Sequence, residues 1–471
     1  MRVMHTTRRT SFLMLILVAA VACAASLTPV VSAQDTPPPP TETPVVPADL
    51  PTAVPVEVPT AVPVEVPTAD PAAPTVPALP AVPTTAFQDR IRVRPGDTMT
   101  VVRPGVIHIR RTTTDPLRIN LMILDLRAPE LDMQVSIGDA QLTGRRRPSA
   151  MAKKAGAFAA INGDLFSGTG IPQGLTITNG KVVVAPKYRA TFGWTNDRKP
   201  FIGFVTQDWS WNAQITAASG ATFGIDLLNY PPCQRGRLCV FNDFMPTVTS
   251  LPSDVKIEID PSGTIVSIAS GKVLRVKPGH RVLQATGGAA QWVTRHLKVG
   301  DVPQLRFDTF PELGSFSQAV SGGPILVRNG SFVTDCLCAF RDCKLAPKTQ
   351  KNLQCEDFTT DWKQKHYDYV RMPRTAIAYN ADQSLLIVAV IDGYQRGYSR
   401  GATQLELANL LLEFGAYDAM ELDGGGSSSM TIDGKIMNRP PDAGGERAVA
   451  NALLFFWNGP EPVAAPAVPR P

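Results

Sequence analysis

The run Tyr398 to Met430, YSRGATQLELANLLLEFGAYDAMELDGGGSSSM, places a carboxylate, three glycines and three hydroxyls in succession from Asp423 to Ser429. Glycines let a ligand approach the backbone closely. An acid beside bare amides and hydroxyls suits a polyhydroxylated or phosphorylated ligand. Such a loop needs elements to aim it. Thr403 and Glu406 have capping-box spacing, so a helix starts there. Leu405, Ala408 and Leu412 recur at helical period, with Leu411 on the same flank, and Gly415 stops the helix. Ala416 to Leu422 reads as a partly buried strand that delivers Asp423 into the loop.

The 471 residues do not all serve the fold. Arg2, Arg8 and Arg9 precede an uncharged run from Thr10 to Ala33, and Val31-Ser32-Ala33 has small-residue cleavage spacing. Residues 1–33 therefore read as a signal peptide, with an uncleaved membrane anchor as the rival, and the chain as secreted or extracytoplasmic. Without those three arginines, the 46 Lys and Arg fall to 43 against 41 Asp and Glu. That balance gives no electrostatic case for nucleic acid. Export also bears on the cysteines. Cys233 and Cys239 are expected to pair, and Cys336, Cys338, Cys343 and Cys355 to form two further disulfides. The alternative, zinc, lacks paired CxxC spacing.

Residues 34–89 are proline-rich, with PTAVPVEV at 51–58 and again at 59–66, and read as an extended spacer. A folded domain is expected over 90–458, followed by a Pro/Ala tail at 459–471. Apolar runs at Ile119–Leu126, Phe158–Ile161, Leu385–Ile391 and Ala448–Phe456 predict strands, and Ser149–Gly156 predicts a short helix. Asn179-Gly180, Asn329-Gly330 and Asp433-Gly434 predict hairpin turns, each fed by a Gly- or Ser-rich loop. Trp194–Gly300 reads as β-rich, with a possible subdomain at 205–310. The fold class is α+β: one mixed domain, mainly antiparallel, with a few helices.

AINGDLF, SGGPILVRNG, MPRTAIAYN, VIDGYQRGYSRGATQLELANLL, GAYDAMELDGGGSSSM and RAVANALL occur in that order. Together, over roughly 104–458, they resemble the phosphodiester glycosidase family. The resemblance implies hydrolysis of a sugar-1-phosphodiester or phosphoglycan at the anomeric carbon, leaving a phosphomonoester. It brings forward Asn162, Asp164, Arg374, Thr375, Asp392, Arg396, Asp423 and Ser427. Asp164, Asp392 and Asp423 are the carboxylates available for catalysis. Arg374 or Arg396 would hold the diester charge. Gly322, Gly323, Gly424, Gly425 and Gly426 would offer amides to phosphate oxygens. Asn162, Thr375 and Ser427 complete the binding set. Met372 stands where the family is associated with histidine, and Ala378 where it often has glycine. No cofactor is implied. Calcium at Asp164 is the metal alternative, without a recognised calcium-loop spacing. Two other activities stay open: a glycan-binding module without turnover, and a phosphodiesterase cutting the P–O bond.

Overall fold

The computed structural model describes residues 87–138, 141–187, 189–205, 212–333 and 369–460. The signal run, nearly all of the spacer, the tail beyond Pro460 and Cys336, Cys338, Cys343 and Cys355 lie outside the described residues. Among those described, no helix is long and apolar enough to cross a membrane.

The architecture is α+β and mainly antiparallel. The described residues hold three α-helices, α1 (Pro148–Ala155), α2 (Gly287–His296) and α3 (Gln404–Glu413). An eight-stranded sheet runs in the order Thr98–Arg103, Val106–Thr112, Arg118–Asp125, Leu385–Ile391, Arg374–Tyr379, Asp418–Glu421, Ile325–Arg328, Ser331–Phe332. Its central strands are near-continuous apolar runs because both faces are covered. One face carries Met122, Leu124, Ile377, Val388 and Val390, packed with Val135, Ile161, Phe192 and Leu453 of two further sheets. The other carries Leu121, Ile123, Ala378, Ile387 and Ala389, covered by α3 through Leu407, Ala408 and Leu411.

The buried face of α3 differs from the expected Leu405–Ala408–Leu412 stripe. Gln404, Leu407, Ala408 and Leu411 are buried, at i, i+3, i+4 and i+7, while Leu405 and Leu412 are only partly covered. The buried glutamine hid the stripe. The helix start is as read: Thr403 Oγ1 accepts from the Glu406 N–H at 3.2 Å, and Glu406 Oε2 accepts from the Thr403 N–H at 3.0 Å. Gly415 follows in the left-handed region at φ 86°.

A second sheet runs Lys435–Ile436, Met430–Ile432, Ala159–Asn162, Asn451–Trp457, Leu131–Ile137, with α1 against it. A third runs Lys181–Val184, Thr176–Thr178, Phe316–Ser321, Thr191–Thr195, Pro200–Gly203. The three hairpin turns form with positive φ at both central residues, for example 49° at Asn179 and 72° at Gly180.

Between Asn212 and Asp308 the strands make separate smaller sheets with their own apolar cluster around Val240, Ile257 and Leu283. Cys233 and Cys239 are disulfide-bonded there. The stretch is β-rich, as its sequence reads, with the helix α2 set among its strands. Its opening Gly287-Gly288 masks a buried stripe of Ala289, Ala290 and Val293, continued by Leu297.

Candidate functional site

The first two sheets meet at the ends of two interior strands. The Ala159–Asn162 strand and the Asp418–Glu421 strand finish side by side, joined where the Asp423 N–H donates to Gly163 O at 2.9 Å. Asn162 Nδ2 donates to the Asp423 carbonyl at 2.6 Å. Asn162 Oδ1 accepts from Thr375 Oγ1 at 2.8 Å and from the Ser429 N–H at 3.0 Å. Asn162 and Thr375 are fully buried. They clamp the seam and leave nothing for a ligand, which corrects their expected role as binding groups. Gly163 is glycine because a Cβ there would overlap Asn451 Oδ1, the acceptor of the Asp164 N–H at 2.8 Å.

The seam brings Asp164 and Asp423 together. The Asp164 side chain is buried, and its Oδ2 accepts from the Gly174 N–H at 2.7 Å. Its Oδ1 accepts no hydrogen bond from the protein and lies 3.8 Å from Arg189 Nη2. Burial raises the Asp164 pKa against the opposing pull of Arg189. Asp423 is partly accessible. Burial pushes its pKa up to about 7, opposed by a hydrogen bond from Ser427 and augmented by the negative charge of Asp164. Two such carboxylates resist carrying two charges at once and titrate as a pair. Near neutral pH the site can thus both give and take a proton.

Two guanidiniums flank the pair. Arg189 is buried and also donates to Gly322 O at 2.9 Å. Arg447 pairs with Asp442 through Nε at 2.7 Å and Nη2 at 2.9 Å, and Nη1 donates to Ser427 Oγ at 3.4 Å. Its charge reaches Asp423. Gly426 makes room for this pair, since a Cβ there would overlap the Arg447 guanidinium and Asp442 Oδ1.

Several expected site residues serve structure instead. Arg374 is fully buried; Nη1 pairs with Glu421 Oε1 at 2.6 Å, and Nε and Nη2 donate to Ala402 O and Val370 O, both at 2.9 Å. Its donors are therefore committed inside the protein. Gly322 and Gly323 do not offer amides to phosphate, because their N–H groups donate to Ala190 O and Glu421 O at 2.9 and 2.7 Å. The Gly425 N–H donates to Pro373 O at 2.9 Å, and the Gly424 N–H to the Asp423 carboxylate. Asp392 is held by its own bonds, with Oδ1 taking Asn438 Nδ2 at 3.2 Å and the Arg439 N–H at 2.8 Å, and Asn438 Nδ2 also donates to Ser428 O at 3.0 Å. Burial lifts its pKa to about 6. Arg396 is exposed on the 392–399 loop. No three His, Cys, Asp or Glu side chains among the described residues converge as a metal would require.

Arg189, Arg447 and Asp442 escaped sequence reasoning. Arg447 opens RAVANALL and was in hand as part of a motif. Arg189, in KYRA, carries no local mark beyond its charge.

Comparison with known proteins follows the same lines. A phosphodiester glycosidase family model matches residues 253–456, a stretch that includes Asp423 and Arg447 and leaves Asp164 and Arg189 outside. The uncharacterized SPbeta prophage-derived protein YomE of Bacillus subtilis (strain 168) is 42% identical over 88 residues, 19% of this chain and 13% of that protein. The crystal structure of a hypothetical protein from Synechocystis aligns with a TM-score of 0.61 at 19% identity, over 77% of this chain and 64% of that one. That of a putative exported protein from Burkholderia pseudomallei K96243 gives 0.60 at 22%, over 73% and 75%. These two show a shared fold. The prophage and Synechocystis proteins are each matched over less than two thirds of their own length. Residues 253–456 thus match the phosphodiester glycosidase family model, in keeping with the motifs that lie within that stretch.

Proposed function

We propose that this protein is an exported hydrolase that cleaves a sugar-1-phosphodiester at the anomeric carbon, on envelope or extracellular phosphoglycans. The observation that carries this is the Asp164–Asp423 pair, flanked by Arg189 and Arg447 at the seam of two sheets. The family match supplies the reaction class, and the apolar run behind Arg2, Arg8 and Arg9 supports export.

A diester carries one negative charge, and Arg447 on the open side of the pair is placed to hold it. Cleavage passes through an oxocarbenium-like state. As the C1–O bond breaks, its electron pair goes to the phosphate oxygen. The protonated partner of the pair can donate to that oxygen, and the ionised partner stabilises the cation at C1. Water then bonds to C1 and yields its proton to the pair. Asp423, the accessible member with a pKa of about 7, is the proton-carrying group. Asp164, beside Arg189, is the ionised one.

The test is hydrolysis of a methyl hexosyl-1-phosphate diester in ¹⁸O water by the purified chain. Label in the released sugar is expected. Label in the phosphate would mean P–O cleavage and overturn the reaction assigned here. Binding without product across a diester panel would leave a glycan-binding module.

A further inference from the structure

Tyr394 is not explained by the chemistry above. It is 58% exposed, although the loop around it is tightly held. Its backbone sits at φ 59°, a left-handed conformation that bulky residues rarely adopt. Such a conformation persists only where neighbours impose it. Here the Gln395 N–H donates to Ser399 O at 3.1 Å, and Gln395 Nε2 donates to Arg439 O at 2.7 Å. Ser399 Oγ donates to Asp392 O at 2.6 Å. These bonds leave the ring standing over the glycine loop that follows Asp423. Its Cε2 and hydroxyl lie 3.9 and 4.0 Å from where a Cβ on Gly425 would be. Met372 Cε lies 3.4 Å from the same point. Arg447 is within electrostatic reach of both Asp423 and Tyr394.

An exposed aromatic ring on a hydrogen-bonded loop, with a thioether methyl beside the same glycine, forms an apolar shelf at the rim of a polar site. A pyranose ring has a matching C–H face, whereas a phosphate has none. The geometry points to Tyr394, with Met372 beside the same glycine, as the platform on which the sugar ring of the substrate stacks, so that it selects a pyranose on the sugar side of the scissile bond. This rests on the phosphodiester-glycosidase reading of the site and adds its sugar-recognition element. The Asp392 bond network is on this view the support of the platform.

The test compares Tyr394→Phe, which keeps the ring, with Tyr394→Asn, which removes it but tolerates the positive φ. With methyl glucosyl-1-phosphate diester, Tyr394→Asn should raise KM about tenfold and leave kcat within about threefold. Tyr394→Phe should stay near wild type. An unchanged KM in Tyr394→Asn, or equal damage in both variants, overturns the proposal. Saturation-transfer NMR with the same diester reads the platform separately. Transfer from the protein to the sugar C–H protons should be present in wild type and lost in Tyr394→Asn. If wild type turns over no diester yet shows that transfer, the hydrolase reading fails and the platform stands. If the transfer is absent, or persists in Tyr394→Asn, the platform fails.

Discussion

Arg374→Met offers a sharp division between a binding arginine and a structural one. The side chain of Glu421 is 4% exposed and that of Arg374 1%, and they meet at 2.6 Å. Glu421 Oε2 also accepts from Gln404 Nε2 at 2.7 Å, so the pair ties the Asp418–Glu421 strand to the first turn of α3. Removing the arginine strands a buried carboxylate, which costs about 3–5 kcal/mol. Unfolding entropy of roughly 2.1 cal/mol/K per residue gives about 0.8 kcal/mol/K for a domain of roughly 370 residues. The melting temperature should therefore fall by about 4–6 °C, measured by calorimetry with urea unfolding alongside. Adding Glu421→Gln should recover part of the loss, because the stranded charge goes with it. KM for a sugar diester, assayed well below the melting temperature, should change less than threefold. A variant that melts like wild type but loses diester affinity would refute the structural assignment and return Arg374 to the phosphate.

Two further outcomes follow from the carboxylate seam. Asp423 has a folded pKa of about 7, above its ordinary 3.8, so the folded state binds more protons than the unfolded between those values and loses stability as pH rises through that window. Asp423→Asn should abolish sugar release, yet stabilise the protein at pH 8 on the order of 2–4 kcal/mol, read from urea midpoints at pH 4 and pH 8; a variant less stable at pH 8 would contradict the raised pKa. Gly426→Ala should displace the Arg447–Asp442 pair and cut kcat/KM at least tenfold, and a fully active, normally folded variant would remove Arg447 from the site.

Much of the scaffold is written locally. Capping residues, Asn-Gly turns and apolar runs depend on neighbours within a few positions, so α3, the hairpins and the central strands could be read directly. What failed to show was long-range. Gln404 looks like a surface residue until Glu421 is placed beside it. Arg374 looks like a phosphate ligand until the same glutamate takes it. Gly322 and Gly323 look like bare amides until Ala190 and Glu421 occupy them. The sequence offered the carboxylates Asp164 and Asp423 as candidates, but their adjacency depends on a seam between separate sheets. Arg189, just ahead of the Thr191–Thr195 strand of the third sheet, becomes a partner of Asp164 only when that sheet packs beside the second.

The seam also has a temporal side. Asn162 and the Asp423 carbonyl it clamps are 261 residues apart in sequence. At roughly 5–20 residues per second of synthesis, Asn162 is made about 13–52 s before its partner. The first half of the chain therefore spends that interval with a buried-type asparagine and Asp164 unpaired. The carboxylate pair comes into being only when the last large segment docks, so no chain that ends before Asp423 can contain it.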